Sequence, residues 1–125
     1  MKMKTAGPGE KQLKDYLVAC GKITALSDEE MAGAVEKLKG EDCVQKEGKK
    51  KLLIEKNLRT VIYTAAGYRG FGLTFANLIR NGNLGLIYAV NNWDGTGDFS
   101  QYLAWNIEGF IIDALVREKS SKGVL

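Results

Sequence analysis

The sequence predicts an all-α protein that forms a single compact helical domain of about five helices. The only proline, Pro8, lies near the amino terminus, so no later segment lacks the amide hydrogen that a helix needs. Apolar residues recur at intervals of three and four rather than two, which is the helical period. The 125 residues suffice for one domain. We expect this domain at 10–119, between a flexible segment 1–9 and a frayed tail 120–125.

The first two helices are predicted from short apolar stripes with recognisable ends. The first covers about residues 10–19 and is ended by Gly21; its apolar face comprises Leu13, Tyr16 and Leu17. The second begins where the Ser27 hydroxyl can accept the Glu30 amide hydrogen while the Glu30 carboxylate reaches back to the cap amide. It ends at Gly40, and its stripe comprises Met31, Ala34, Val35 and Leu38.

Three longer helices follow, over about residues 49–68, 74–93 and 98–119. The last of them can begin with Asp98 as its amino-terminal cap. The middle one contains Gly82 and Gly85, each of which costs up to about 1 kcal/mol relative to alanine in a helix interior. We therefore expect another helix to pack closely against this one at the two glycines.

The composition excludes several classes of protein. With 45% hydrophobic and 26% charged residues, the chain is neither disordered nor fibrous. No apolar run approaches the roughly 18 residues of a membrane span, and the start lacks the apolar segment of a secretory signal. The two unpatterned cysteines, Cys20 and Cys43, fit a reducing compartment. We expect a cytoplasmic protein with no membrane partner.

Catalytic and metal sites find little support in the sequence. It contains no histidine, which removes histidine ligands and both Ser–His and Cys–His nucleophiles. The segment 94–98 opens like a calcium loop, but Phe99 and Trp105 occupy the positions of the required glycine and glutamate. Glu108 and Asp113 lie five residues apart and so do not share a helix face for acid–base chemistry. We predict that the protein is not an enzyme and has no metal or cofactor.

The net charge of +3 is unevenly distributed. Residues 60–116 carry two basic and four acidic side chains and so contribute −2, which leaves +5 for the remainder. Five lysines lie between Lys46 and Lys56 at the start of a predicted helix. A solvated helix start is the more common explanation of such a run, and a patch that tracks phosphates is the alternative.

Aromatic residues gather at the start of the last predicted helix. Phe99, Tyr102 and Trp105 are spaced three apart, and Trp93 precedes them across a turn. Such a stripe more often belongs to the core. The alternative is a platform for unstacked bases, each worth roughly 1–3 kcal/mol of stacking energy. The spacing does not decide between these two interpretations.

Several segments resemble, in order, regions 1.2 and 2 of the bacterial sigma-70 family. Residues 77–90 are similar to the helix that binds core polymerase, which reads approximately D-L-I-Q-E-G-N-I-G-L-x-x-A-V. Residues 57–61 resemble N-L-R-L-V, and residues 99–105 resemble F-S-T-Y-A-x-W of the promoter-melting helix. Residues 16–30 resemble region 1.2, which reads Y-L-x-x-x-G and then L-T-x-E-E. The match extends from about residue 15 to residue 119, and the family's later domains have no counterpart.

The resemblance implies a sigma-70 region 2-like domain that docks on the coiled coil of the β′ subunit and captures single-stranded promoter DNA of the minus-ten region. The implied core-polymerase-binding residues are Asn77, Arg80, Asn81, Asn83 and Leu84. The implied DNA-binding residues are Asn57, Arg59, Trp93, Phe99, Gln101, Tyr102, Trp105 and Asn106. An anti-sigma factor or a second sigma-like subunit is a further candidate partner.

Both implied surfaces depart from the family pattern. Asn77 and Asn81 stand where the family has acidic residues, and Arg80 stands where it has glutamine. Residues 98–116 carry three acids and no base, an arrangement that repels phosphates. The resemblance and these departures lead to two candidate functions for the chain. The first is an atypical, truncated sigma-70-like initiation factor that binds core RNA polymerase and engages the promoter minus-ten region. The alternative is a sigma-like interaction module or regulator that has lost promoter DNA binding.

Overall fold

Helices account for most of the described part of the chain, residues 7–121 of a computed structural model. A 3-10 turn at Glu10–Gln12 precedes six α-helices: α1 (Leu13–Gly21), α2 (Asp28–Leu38), α3 (Cys43–Lys56), α4 (Leu58–Ala66), α5 (Phe75–Asn92) and α6 (Phe99–Ser121). No strand occurs between residues 7 and 121, so the all-α prediction is confirmed. The outer parts of the expected flexible ends, residues 1–6 and 122–125, lie outside the described residues.

The third predicted helix is interrupted at Asn57 and begins earlier than expected. The Asp42 carboxylate accepts the amide hydrogens of Val44 and Gln45 at 3.0 and 3.1 Å, which sets the start of α3. At Asn57 the backbone leaves helical geometry, with φ −109° and ψ 7°, and its side-chain amide donates to the Leu53 carbonyl at 2.7 Å. Counted as one interrupted helix, α3 and α4 complete the five that the sequence predicts.

Side-chain caps fix where the other helices begin. The Ser27 hydroxyl accepts the Glu30 amide hydrogen at 3.1 Å, and the Glu30 carboxylate accepts the Ser27 amide hydrogen at 3.0 Å. This reciprocal bonding lowers the pKa of Glu30 and confirms the predicted capping box. Thr74 caps α5 and Asp98 caps α6, each accepting an amide hydrogen, at 3.2 and 2.9 Å respectively.

The core is centred on α5, which packs along α6 and also contacts α4 and α3. Its largest fully buried side chains come from five helices: Cys20, Leu53, Val61, Leu78, Ile79, Leu86, Ile107 and Ile111. The helical hairpin of α2 and α3 adds Ala34 and Leu38 at one side. Because α5 is buried along so much of its length, only a narrow part of its surface remains for other molecules.

The close approach of α5 to α6 requires glycine at two positions. A Cβ atom on Gly85 would lie 2.4 Å from the Asn106 carbonyl oxygen and 2.9 Å from the Ile107 Cα. A Cβ atom on Gly82 would lie 2.7 Å from the Val61 Cγ1 atom of α4 and 3.2 Å from the Ile111 Cδ1 atom of α6. The cost of glycine in a helix interior is therefore offset at Gly85 by contact between helix backbones and at Gly82 by contact with side chains of α4 and α6, and the predicted close packing is confirmed.

Replacing Gly85 with alanine should destabilise the fold, because the new methyl group would meet the backbone of α6. We expect overpacking to cost about 1–3 kcal/mol or more, although alanine has a helix propensity about 1 kcal/mol better than that of glycine. The matched control is Gly109→Ala in α6, where a Cβ atom has no neighbour within 4 Å. In urea unfolding followed by circular dichroism, the control should have a free energy of unfolding equal to or higher than that of the parent chain. Equal stability of the two variants would contradict the proposed packing.

Candidate functional site

The residues implied to bind core polymerase separate into a group of exposed or half-buried residues and one buried residue. Four of them form what we call the α5 surface: Asn77, Arg80, Asn81 and Leu84. Arg80 Nη1 donates to the Asn77 Oδ1 atom at 3.2 Å, and Asn81 Nδ2 donates to the Asn77 carbonyl at 2.8 Å. Leu84 is 39% exposed and adds an apolar end. The α5 surface therefore offers a hydrogen-bonded polar group beside one leucine side chain.

Asn83 lies inside the domain rather than on the α5 surface. It is 3% exposed, and its Nδ2 atom donates to the Tyr16 hydroxyl at 3.0 Å. Its Oδ1 atom has no hydrogen-bond partner among residues 7–121. Gly7, with φ +72°, lies so close that a Cβ atom there would be 2.5 Å from Asn83 Nδ2. Asn83 thus holds α1 and the segment before it against α5.

The aromatic stripe of α6 begins in the core and ends in solvent. Phe99 is 4% exposed, Tyr102 is half-buried and Trp105 is 63% exposed. A spacing of three residues advances about 300° around a helix, so each step moves the stripe about 60° away from its starting face. The core interpretation therefore holds for Phe99. Trp105 presents its ring to solvent, and a platform for unstacked bases stays a prediction for that residue.

Trp93 is held in place by the turn that connects α5 to α6. Its indole nitrogen donates to the Thr96 carbonyl at 3.1 Å, and its ring meets Phe99 edge-on with the centroids 5.2 Å apart. The amide and hydroxyl of Thr96 both donate to the Asp94 carboxylate, which lowers the pKa of Asp94. The Lys39 ammonium lies 5.5 Å from the centroid of the Trp93 ring, within cation–π range.

Other residues implied to bind DNA already make contacts within the chain. The Asn57 amide donates to the Leu53 carbonyl, as described above, and Asn106 Nδ2 donates to the Tyr102 carbonyl at 2.8 Å. Arg59 donates to the Ile23 carbonyl and to the Tyr63 hydroxyl, each at 3.3 Å. Gln101 is exposed.

Beside Trp105 lies a hollow of about 270 Å³. It is lined by Trp105, Asn106, Gly109, Phe110 and Asp113. Trp105 and Asn106 are thus brought together by the structure, and Trp93 contacts Phe99 in a separate group. The hollow combines an aromatic face with an amide and an unobstructed glycine position.

Each of the three acids between residues 98 and 116 is engaged within the domain. Asp98 caps α6, and Asp113 pairs with Arg117 at 3.2 Å. The Glu108 carboxylate accepts the Tyr68 hydroxyl hydrogen at 2.8 Å, which raises the pKa of Tyr68. Tyr68 was not identified from the sequence, because forty residues separate it from Glu108 and no local pattern links them.

A second groove, of about 690 Å³, lies between the end of α4 and the second half of α6. Exposed apolar side chains line it, including Phe71, Ile112 and Val116. Sequence reasoning did not identify it, although Phe71 stands between Gly70 and Gly72, where a large apolar side chain is unexpected.

Residues 7–121 were compared with the requirements of a metal site and of a membrane-spanning helix. Among residues 7–121 no group of three or more Cys, Asp or Glu side chains is placed to hold a metal ion, and the sequence has no histidine. In the same part of the chain, none of the helices combines the length and apolar character needed to cross a bilayer.

The burial of the Tyr16 hydroxyl should make stability depend on pH. Burial raises the pKa of Tyr16 to about 12, above the value of 10.0 for a free tyrosine. A pKa raised in the folded state contributes stability that is complete below pH about 10 and is lost as the pH rises toward about 12. We expect Tyr16→Phe to reduce this loss in urea titrations across that range, whereas the control Tyr63→Phe, at an exposed tyrosine, should retain it in full. An identical decline in Tyr16→Phe and the parent chain would contradict the assignment.

The amino-acid sequence of this chain is similar to that of known proteins. The family model for sigma-70 region 2 matches residues 53–121, which is more than half of the chain. Over 102 residues the chain is 39% identical to RNA polymerase sigma factor SigA of Clostridium acetobutylicum; the alignment covers 80% of this chain and 26% of that protein. The chain therefore spans about a quarter of the length of this curated relative. On the family match and this identity, the chain belongs to the sigma-70 family and contains its region 2.

Proposed function

We propose that this chain acts in transcription initiation, binding core RNA polymerase through the α5 surface and single-stranded promoter DNA of the minus-ten region through α6. The observation that carries the proposal is the exposure of Trp105, 63% of whose surface is open to solvent beside a hollow. The proposed role is one of binding and not of catalysis.

The exposed Trp105 ring supports capture of an unpaired base. An indole left largely in solvent contributes little to the core, whereas a stacked base would cover its face and gain roughly 1–3 kcal/mol. Asn106 lines the same hollow, and its amide oxygen accepts no hydrogen bond from residues 7–121. A base stacked on Trp105 would therefore find a hydrogen-bond acceptor beside it, and the gain would offset part of the cost of unpairing that base.

Phe99, Trp93 and Asn83 take positioning roles in this proposal. Phe99 is buried against Trp93, so it fixes the angle at which α6 leaves the turn. Asn83 is bonded to Tyr16 and so fixes α1 on α5. The residues that the proposal leaves to meet a partner are those of the α5 surface, Gln101, Trp105 and the amide oxygen of Asn106.

The second candidate function is a sigma-like interaction module or regulator that does not bind promoter DNA. It is favoured by the absence of any basic residue between Asp98 and Val116. Against it, the acids of this segment are engaged by the α6 amides, Tyr68 and Arg117, which reduces their repulsion of phosphates. An anti-sigma factor or a second sigma-like subunit is a candidate partner under either function.

Replacing Trp105 with alanine should weaken binding to a single-stranded minus-ten oligonucleotide in the presence of core polymerase. We expect a loss of about 1–3 kcal/mol, the value of one base stacked on an aromatic ring. Ile112→Ala, which removes another exposed apolar side chain of α6, is the matched control and should bind as the parent chain does. Fluorescence anisotropy measures both. Unchanged DNA affinity of Trp105→Ala, with polymerase binding intact, would contradict the role of Trp105.

Replacing Leu84 with aspartate should reduce association with core polymerase or with the isolated β′ coiled coil. The aspartate would bury less apolar surface against the partner than leucine does, and its carboxylate would lose hydration on binding. We therefore expect roughly tenfold weaker binding. Val18→Asp introduces the same charge at an exposed valine of α1 and should have no effect. Pull-down and biolayer interferometry measure the difference. A parent chain that binds neither target overturns the proposed function, and one that binds polymerase without DNA favours the second candidate.

A further inference from the structure

The first half of α3 carries three lysines on one side. Lys46, Lys49 and Lys50 occupy positions i, i+3 and i+4, and so lie within about 100° of one another around the helix. We call them the α3 lysine cluster. The two acids of α3, Glu47 and Glu55, fall outside this arc. Three of the five lysines of α3 therefore share one side of the helix, and Glu47 lies beside that side.

The α3 lysine cluster is half-buried and incompletely paired. Lys50 contacts Glu47 at 3.6 Å, whereas Lys46 and Lys49 make no ion pair with any residue between 7 and 121. Half burial means that the aliphatic stems pack against the domain while the ammonium groups reach solvent. Like charges one turn apart repel each other, and no counter-ion from residues 7–121 offsets the charge of Lys46 or Lys49. A bound polyanion would relieve this repulsion.

The surroundings of the cluster favour nucleic acid over an acidic protein as that polyanion. Lysine is depleted at protein–protein interfaces, where aromatic side chains are enriched. α3 contains no aromatic residue, and its one large exposed apolar side chain is Val44, which is 84% exposed. Duplex DNA presents one negative charge per roughly 1.7 Å of axis, which suits several lysines within one helical turn.

We propose that the α3 lysine cluster is a second DNA-binding site, which contacts the phosphate backbone of duplex DNA without reading its sequence. The site goes beyond the proposed function, which uses the α5 surface and α6. It supplies cationic contacts that α6 cannot make, because α6 has no basic residue before Arg117. Binding at this site requires neither polymerase nor an unpaired base.

The test compares two double variants that remove the same charge. Lys46→Gln with Lys49→Gln neutralises the unpaired part of the cluster, and Lys11→Gln with Lys14→Gln neutralises two exposed lysines near α1. The probe is a labelled duplex without a promoter sequence, and anisotropy is recorded from about 50 to 200 mM salt. Thermal unfolding confirms that both variants fold; the cluster variant should melt no lower than the parent chain, because it loses a like-charge repulsion.

We expect the slope of log K against log salt to become shallower by about two for the cluster variant, since each phosphate contact contributes roughly 0.9. The Lys11 and Lys14 control should keep the parent slope. The proposal would be overturned if the slope fell equally in both variants or if the parent chain did not bind the duplex. Tighter binding of poly-glutamate than of the duplex would also overturn it. Because the probe is fully paired and polymerase is omitted, failure here leaves the Trp105 experiment unaffected.

Discussion

The contact between the backbones of α5 and α6 at Gly85 is the constraint on which the rest of the structure depends. Gly85 meets the Asn106 carbonyl with no side chain between the two helices. The direct sequence neighbours of these two residues are Leu84 and Trp105, one on each proposed binding surface. The two surfaces are therefore carried by one tightly packed helix pair, and a change in the packing would move both of them together.

Local chemistry made much of the fold predictable. The capping box at Ser27 and Glu30, the cap at Asp98 and the glycines of α5 each act within a few residues or through a steric rule, and each is found as expected. The break at Asn57 was not predicted, because the apolar spacing continues across it and only the backbone angles reveal it. The early start of α3 was missed because its first two turns are polar, which hides the apolar period.

The candidate site was less predictable, because exposure depends on which way a helix faces. The resemblance named Asn83 and Phe99 beside Leu84 and Trp105 without distinguishing buried from exposed positions, and the first two are buried. The partners of the acidic side chains near and within α6 were unpredictable for a related reason. They come from a capped turn, from Arg117 and from Tyr68 on a distant segment. Only the folded chain brings Tyr68 to Glu108.

The hydrogen bond between Tyr16 and Asn83 has a consequence for the order of folding. It joins residues 67 positions apart, so α1 gains this contact only after α5 has formed. A helix of nine residues is marginal on its own in water, and therefore α1 depends on docking for its stability. The amino-terminal helix should accordingly be among the last elements to fold and the first to open, exchanging its amide hydrogens by local unfolding while the α5–α6 pair remains protected.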